Sequence, residues 1–144
     1  MEVVRELLKH GAKVESAVKH GWIPLDTAAL YGRVEVVREL LKVGANVEST
    51  DYYGCKSHYR AASNGHVEVV RELLKHGAKV ESADKYVCTP LYEAVLNFHV
   101  EVVRELLKHG AKVKSKDYYG CTSLYRSASN GHVEVFRELL KHGA

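Results

Sequence analysis

Residues 100–111 read V-E-V-V-R-E-L-L-K-H-G-A, and residues 67–78 read the same. The string returns with small changes at 1–12, 34–45 and 133–144, and equivalent residues always stand 33 apart. Self-similarity at such a period marks an array of stacked units, none of which can bury its apolar face alone. Within the string, Val100, Val103, Leu106 and Leu107 recur at helical spacing, which predicts a helix with one buried stripe. Gly110 follows Lys108-His109 and supplies the usual left-handed stop. Glu101 and Arg104, then Glu105 and Lys108, fall three apart on what reads as a solvated face.

Outward from this helix the same unit holds a shorter one. Thr89-Pro90 opens it with a capping hydroxyl and a proline at the first helical position. Leu91, Ala94 and Val95 give its packing face, and the small residues Ala28, Ala61, Ala94 and Ser127 share one column that lets helices approach closely. Between units, Asp51-Tyr52-Tyr53-Gly54 and Asp117-Tyr118-Tyr119-Gly120 place Asp first and Gly fourth in a turn. The register divides the chain into a half unit (1–16), full units at 17–49, 50–82 and 83–115, and a last unit at 116–144. A 66-residue period lies above the shorter one, since the units starting at Thr50 and Lys116 agree at 24 of 29 positions. The expected fold is an all-α solenoid: one domain of stacked helix-turn-helix pairs with projecting hairpin loops.

The second full unit reads D-Y-Y-G-C-K-S-H-Y-R-A-A-S-N-G-H-V-E-V-V-R-E-L-L-K-H-G-A. It resembles the ankyrin repeat in period, residue type and order, and the resemblance covers the whole chain. Several positions depart from that family's pattern. The Thr-Pro-Leu-His helix start becomes Ile23-Pro24-Leu25-Asp26, Lys56-Ser57-His58-Tyr59, Thr89-Pro90-Leu91-Tyr92 and Thr122-Ser123-Leu124-Tyr125. Val87 replaces a turn glycine, Phe98 replaces a loop glycine, and Val-Glu-Ser or Val-Lys-Ser replaces Val-Asn-Ala before the hairpin. The unit at 50–82 is expected to carry the least stable first helix. Lys56 offers no capping hydroxyl, Ser57 lacks the proline ring, and His58 stands in a core column of leucines.

The resemblance implies a binding scaffold, usually for proteins, that uses hairpin tips and the open face of the first helices as a concave groove. The positions that would line it are Lys19, Trp22 and Tyr31; then Tyr52, Tyr53, Arg60 and Asn64; then Tyr86, Glu93 and Asn97; and last Tyr118, Tyr119, Arg126 and Asn130. Aromatic and arginine side chains dominate binding hot spots because they bury area at low entropic cost. The competing reading is that the tip tyrosines pack on the next hairpin. Two other functions stay open: a small-ligand or nucleotide site with Tyr and Trp stacked on bases, and a structural spacer within a longer array.

Other chemistry has little support in the sequence. Cys55, Cys88 and Cys121 fall one per hairpin, and a repeat spacing of roughly 8–10 Å exceeds what a disulfide spans. His10, His76, His109 and His142 form one column and His66, His99 and His132 another, too far apart to share a metal ion. With no phosphate loop and no nucleophile–base pairing, the expectation is no enzyme, no cofactor and no metal. A net charge of +3 without a basic block argues against a nucleic-acid arm. No apolar run is long enough to cross a bilayer, and the N-terminus has no signal-peptide core, so a cytoplasmic or nuclear location is the default expectation. The terminal units lack polar caps, so the ends are expected to fray or self-associate unless the chain is a piece of a longer array.

Overall fold

The structure is a computed structural model that describes residues 2–14 and 22–144. Nine helices occur among the described residues: α1 Glu2–Lys9, α2 Pro24–Leu30, α3 Val34–Lys42, α4 Ser57–Ser63, α5 Val67–Lys75, α6 Pro90–Leu96, α7 Val100–Lys108, α8 Ser123–Ser129 and α9 Val133–Lys141. From α2 onward each short helix packs on the longer one that follows it. The short helices α2, α4, α6 and α8 stack in one row, and α1, α3, α5, α7 and α9 in a second. This is the single-file architecture that the 33-residue period implies.

The core runs between the two rows. Val69, Val70 and Leu73 from α5 and Val102, Val103, Leu106 and Leu107 from α7 are buried, as are Leu25 and Leu91 from the short row. The small-residue column is buried at every unit, at Ala28, Ala61, Ala94 and Ser127, where larger side chains would push the short helices apart. His58 is fully buried in the leucine column, and neither ring nitrogen has a hydrogen-bond partner among the described residues. Thr89 and Thr122 accept the backbone N–H of Tyr92 and Tyr125 as helix caps, each at 3.2 Å, whereas Lys56 makes no cap. Ser57 compensates in part: its hydroxyl donates to the buried Asp26 carboxylate of the preceding unit at 2.8 Å.

The first glutamate column and the lysine column of the long helices are exposed, as helical periodicity suggests, but the arginine column and the second glutamate column join neighbouring units. Each arginine reaches forward to a glutamate of the next unit: Arg5 to Glu39 at 2.9 Å, Arg38 to Glu72 and Arg71 to Glu105 at 3.1 Å, and Arg104 to Glu138 at 3.2 Å. The glutamate ends are shielded, and Glu105 and Glu138 are buried. A face that meets water on a lone helix meets the neighbouring helix in a stack. The Val-Glu-Ser departures also act between units: Glu48 accepts the Lys79 backbone N–H at 3.1 Å and Glu81 that of Lys112 at 2.5 Å.

The hairpins are tight turns. The only extended pairing among the described residues is the isolated bridge between Lys116 and Thr122. Val87 and Phe98 both stand at φ 67°, where their sister units hold glycine. A β-branched residue there is strained.

Candidate functional site

The hairpin aspartates organise the binding side. In each of three units the carboxylate Oδ1 accepts two backbone N–H groups of its own turn: Tyr53 and Cys55 on Asp51, Tyr86 and Cys88 on Asp84, Tyr119 and Cys121 on Asp117. These bonds fix the two residues after each aspartate at the tip. The other oxygen reaches across the row. Tyr59 donates its hydroxyl to Asp84 at 3.0 Å, and Tyr92 does the same to Asp117. Arg60 binds Asp51 at 2.6 Å and Arg126 binds Asp117 at 3.1 Å. The hydrogen bond from Tyr92 offsets the burial and helps lower Asp117 to about 2, while burial and that same bond push Tyr92 up to about 12.

The structure sorts the sequence-derived candidates. Lys19 lies outside the described residues. Trp22 lies under Arg60, whose guanidinium is 5.1 Å from the ring centre, and its buried indole N–H has no partner among the described residues. Asn64 and Asn97 close their helices by donating to the carbonyls of Arg60 at 2.8 Å and Glu93 at 2.9 Å. Asn130 is exposed. Tyr31 and Tyr86 are exposed, and Tyr52, Tyr118 and Tyr119 keep 75%, 79% and 80% of their surface. Tyr53 falls to 38%, and the Lys85 ammonium sits 5.0 Å from its ring centre. Packing on the next hairpin therefore describes Tyr53 but not the other tip tyrosines.

A groove of about 700 Å³ opens between the hairpins that begin at Asp84 and Asp117. Tyr86, Tyr92, Tyr118 and Tyr119 line it together with Cys88, Glu93, Leu96 and Arg126. The rings of Tyr118 and Tyr119 stand at 89° to one another, 5.4 Å between centres. Five of the sequence-derived candidates meet here: Tyr86, Glu93, Tyr118, Tyr119 and Arg126. Sequence reasoning misses Tyr92, Cys88 and the two aspartates, which read as turn and helix-start residues. Their spacing from Arg126 and Glu93 is the available signal. Burial first, and then Asp84 and Glu93, push the Cys88 thiol up to about 11, which disfavours the thiolate at neutral pH.

The histidine columns hold the frame. His10, His76, His109 and His142 place Nδ1 within 2.8–3.0 Å of the carbonyl four residues back and so close their helices. Nε2 of His66 lies 2.9 Å from the Leu30 carbonyl, and that of His99 lies 3.1 Å from the Ser63 carbonyl. Each of these two rings covers the preceding unit's loop glycine so closely that a Cβ there would come within 2.5 Å of it. A column of histidines that seat on glycines between stacked helix pairs is the decisive observation, and the comparisons agree with it. The family model described as ankyrin repeats (3 copies) matches residues 1–51 and 58–144. This chain is an ankyrin-repeat protein. No curated protein matches it. Ankyrin repeats are in general protein-interaction modules, and the family is generally non-enzymatic. The stretch left out of the match, residues 52–57, carries the tip tyrosines and the uncapped helix start before His58. Phe98 marks a second local departure from the ankyrin frame. Its ring occupies the glycine site and stacks on His132, 3.5 Å between centres and 16° between planes. No helix among the described residues is long and apolar enough to cross a membrane.

Proposed function

We propose that this ankyrin domain binds a protein partner on its hairpin side, with the groove between the Asp84 and Asp117 hairpins at the centre. The observation that carries this reading is the cluster of exposed tyrosines around a groove whose polar residues are held in place by the hairpin aspartates. Rigid aromatic rings left in water favour burial by a partner. A nucleotide is disfavoured, because the groove presents Asp84, Glu93 and Asp117 against the single guanidinium of Arg126. A mere spacer is disfavoured because the groove changes along the array while the frame does not. One first-helix column runs Thr27, Arg60, Glu93, Arg126. The test is affinity capture from a lysate with the native domain and with a variant carrying Tyr52→Ala, Tyr118→Ala and Tyr119→Ala. A partner identified by mass spectrometry should be retained by the first and lost by the second at unchanged melting temperature. Equal capture by both baits would remove the groove side from the binding surface.

A further inference from the structure

Charge is distributed unevenly along the hairpin row. Asp51 and Asp117 are each neutralised by an arginine nine residues on, Arg60 and Arg126. In the unit between them that arginine is replaced by Glu93, so the groove that Asp84 lines holds a second carboxylate from the same unit. Among the described residues Asp84 accepts hydrogen bonds only from neutral donors, the Tyr59 hydroxyl and two backbone N–H groups. Glu93 receives the Ser63 hydroxyl at 3.4 Å and the Asn97 amide at 3.5 Å through one oxygen, and no cation lies within 4.0 Å of it among the described residues. The guanidinium of Arg126 is already engaged by Asp117 and the Tyr92 hydroxyl. Both unpaired carboxylates line the aromatic groove. The same hairpin row already shows how it handles a cation, since the Lys85 ammonium lies about 5 Å from the rings of both Tyr53 and Tyr86.

We propose that this groove takes a basic side chain, lysine or arginine, of an extended protein segment, with Glu93 as its counter-ion and Tyr86, Tyr118 and Tyr119 as its walls. The inference rests on the interaction reading above and narrows it to a chemistry. A desolvated cation gains from aromatic faces and from a carboxylate together. Neither alone would select a base over an apolar residue. The groove is of the size that encloses several residues of an extended chain rather than a single ion.

The test is a titration of the 15N-labelled domain with blocked tripeptides, acetyl-Ala-X-Ala-amide, in which X is arginine, lysine, norleucine or glutamate. The probe is carried to concentrations on the order of 10 mM, above the millimolar affinity typical of so small a ligand. Saturable amide shifts at Tyr86, Cys88, Glu93, Tyr118 and Tyr119 are expected with arginine or lysine and not with norleucine or glutamate. Glu93→Gln should weaken binding several-fold and Glu93→Arg by at least about tenfold, as expected for loss and then reversal of a charge-assisted contact. Glu93→Arg should fold normally, because Arg60 and Arg126 occupy the same place in their own units, and a melting curve checks this. Equal shifts with norleucine, no shifts at all, or undiminished affinity in folded Glu93→Arg would each overturn the proposal. The broader reading is tested separately. A partner still captured by Glu93→Arg but lost with the tip-tyrosine variant sinks the cation inference and keeps the interaction surface.

Discussion

His58→Leu should stabilise this protein, and by more in acid than at neutrality. The imidazole is fully buried in a column otherwise held by Leu25, Leu91 and Leu124, with both nitrogens unpaired. Leaving a buried polar group unsatisfied costs roughly 1–3 kcal/mol, so leucine, close in volume, should gain about 2 kcal/mol at pH 7. Burial lowers the His58 pKa from 6.5 to about 4; the nearby Lys79 main chain, which falls short of hydrogen-bond geometry, and Glu48 favour the charged ring, and Lys56 opposes it. The unfolded chain therefore binds the proton first as pH falls. Native stability is whole above about pH 6.5 and is lost progressively towards pH 4. A shift of that size corresponds to about 3 kcal/mol at 1.36 kcal/mol per pH unit. The advantage of leucine should then grow from about 2 kcal/mol at pH 7 to about 5 kcal/mol near pH 4. At roughly 2–4 °C per kcal/mol for a chain of this length, the neutral-pH gain is a rise of about 4–8 °C. Urea titrations of the native protein and the His58→Leu variant at several pH values between 7 and 4 measure the difference directly. Parallel stability profiles, or a leucine variant weaker at pH 7, would show that the ring is hydrated or paired and would refute the reasoning.

Other consequences are as specific. Val87→Gly should raise stability by about 1 kcal/mol by relieving a β-branched residue at φ 67°, as seen in thermal melts. Its counterpart Phe98→Gly should gain less, because it also removes the stack on His132; a gain equal to that at Val87 would mean the stack contributes nothing. A double-mutant cycle on Arg71→Ala and Glu105→Ala should give a coupling of about 0.5–1 kcal/mol that shrinks with salt, and a value near zero would make the inter-unit rung decorative. Tyr92→Phe removes the largest cause of the low Asp117 pKa, so that carboxyl should titrate well above about 2, and acid should erode its contribution sooner; NMR titration of the side chain decides. Tyr118→Ala and Tyr119→Ala should weaken a bound partner by about 1–3 kcal/mol while leaving melting unchanged, whereas Tyr53→Ala should cost stability through its contact with Lys85.

The array was legible because it is written five times. A helix seen once in Val100–Lys108 is only a periodicity; seen every 33 residues it becomes a stack, and the hairpin turns and small-residue column follow. His58 was legible for the same reason, as one polar residue in a column of leucines. The Arg–Glu rungs were not. Glu105 lies three residues from Lys108 and reads as a local surface pair, but its partner is Arg71, 34 residues earlier, and no helical wheel shows that neighbour. The candidate site was half legible. Tip tyrosines announce themselves, but the groove exists because Asp84 and Asp117 anchor neighbouring turns and Tyr92 reaches across from the helix between. Tyr92 falls where a packing residue belongs, and its hydroxyl matters only once two units are placed side by side.

The forward reach of the arginines has a bearing on how such an array changes over generations. Every rung joins one unit to whichever unit comes next, and the partners are the same residue types throughout. Recombination between identical stretches such as 67–78 and 100–111 can therefore drop or add a whole unit and leave each junction chemically intact. Loss of residues 83–115 would set Arg71 opposite Glu138 and bring Tyr59 to Asp117, the same residue types that meet at these contacts now. The same event would delete Glu93 and leave Arg60 beside Arg126, so the column would lose its one acid and read Thr27, Arg60, Arg126. The contacts that join units thus keep their kind when the unit number changes, while the recognition surface is rewritten in a single step.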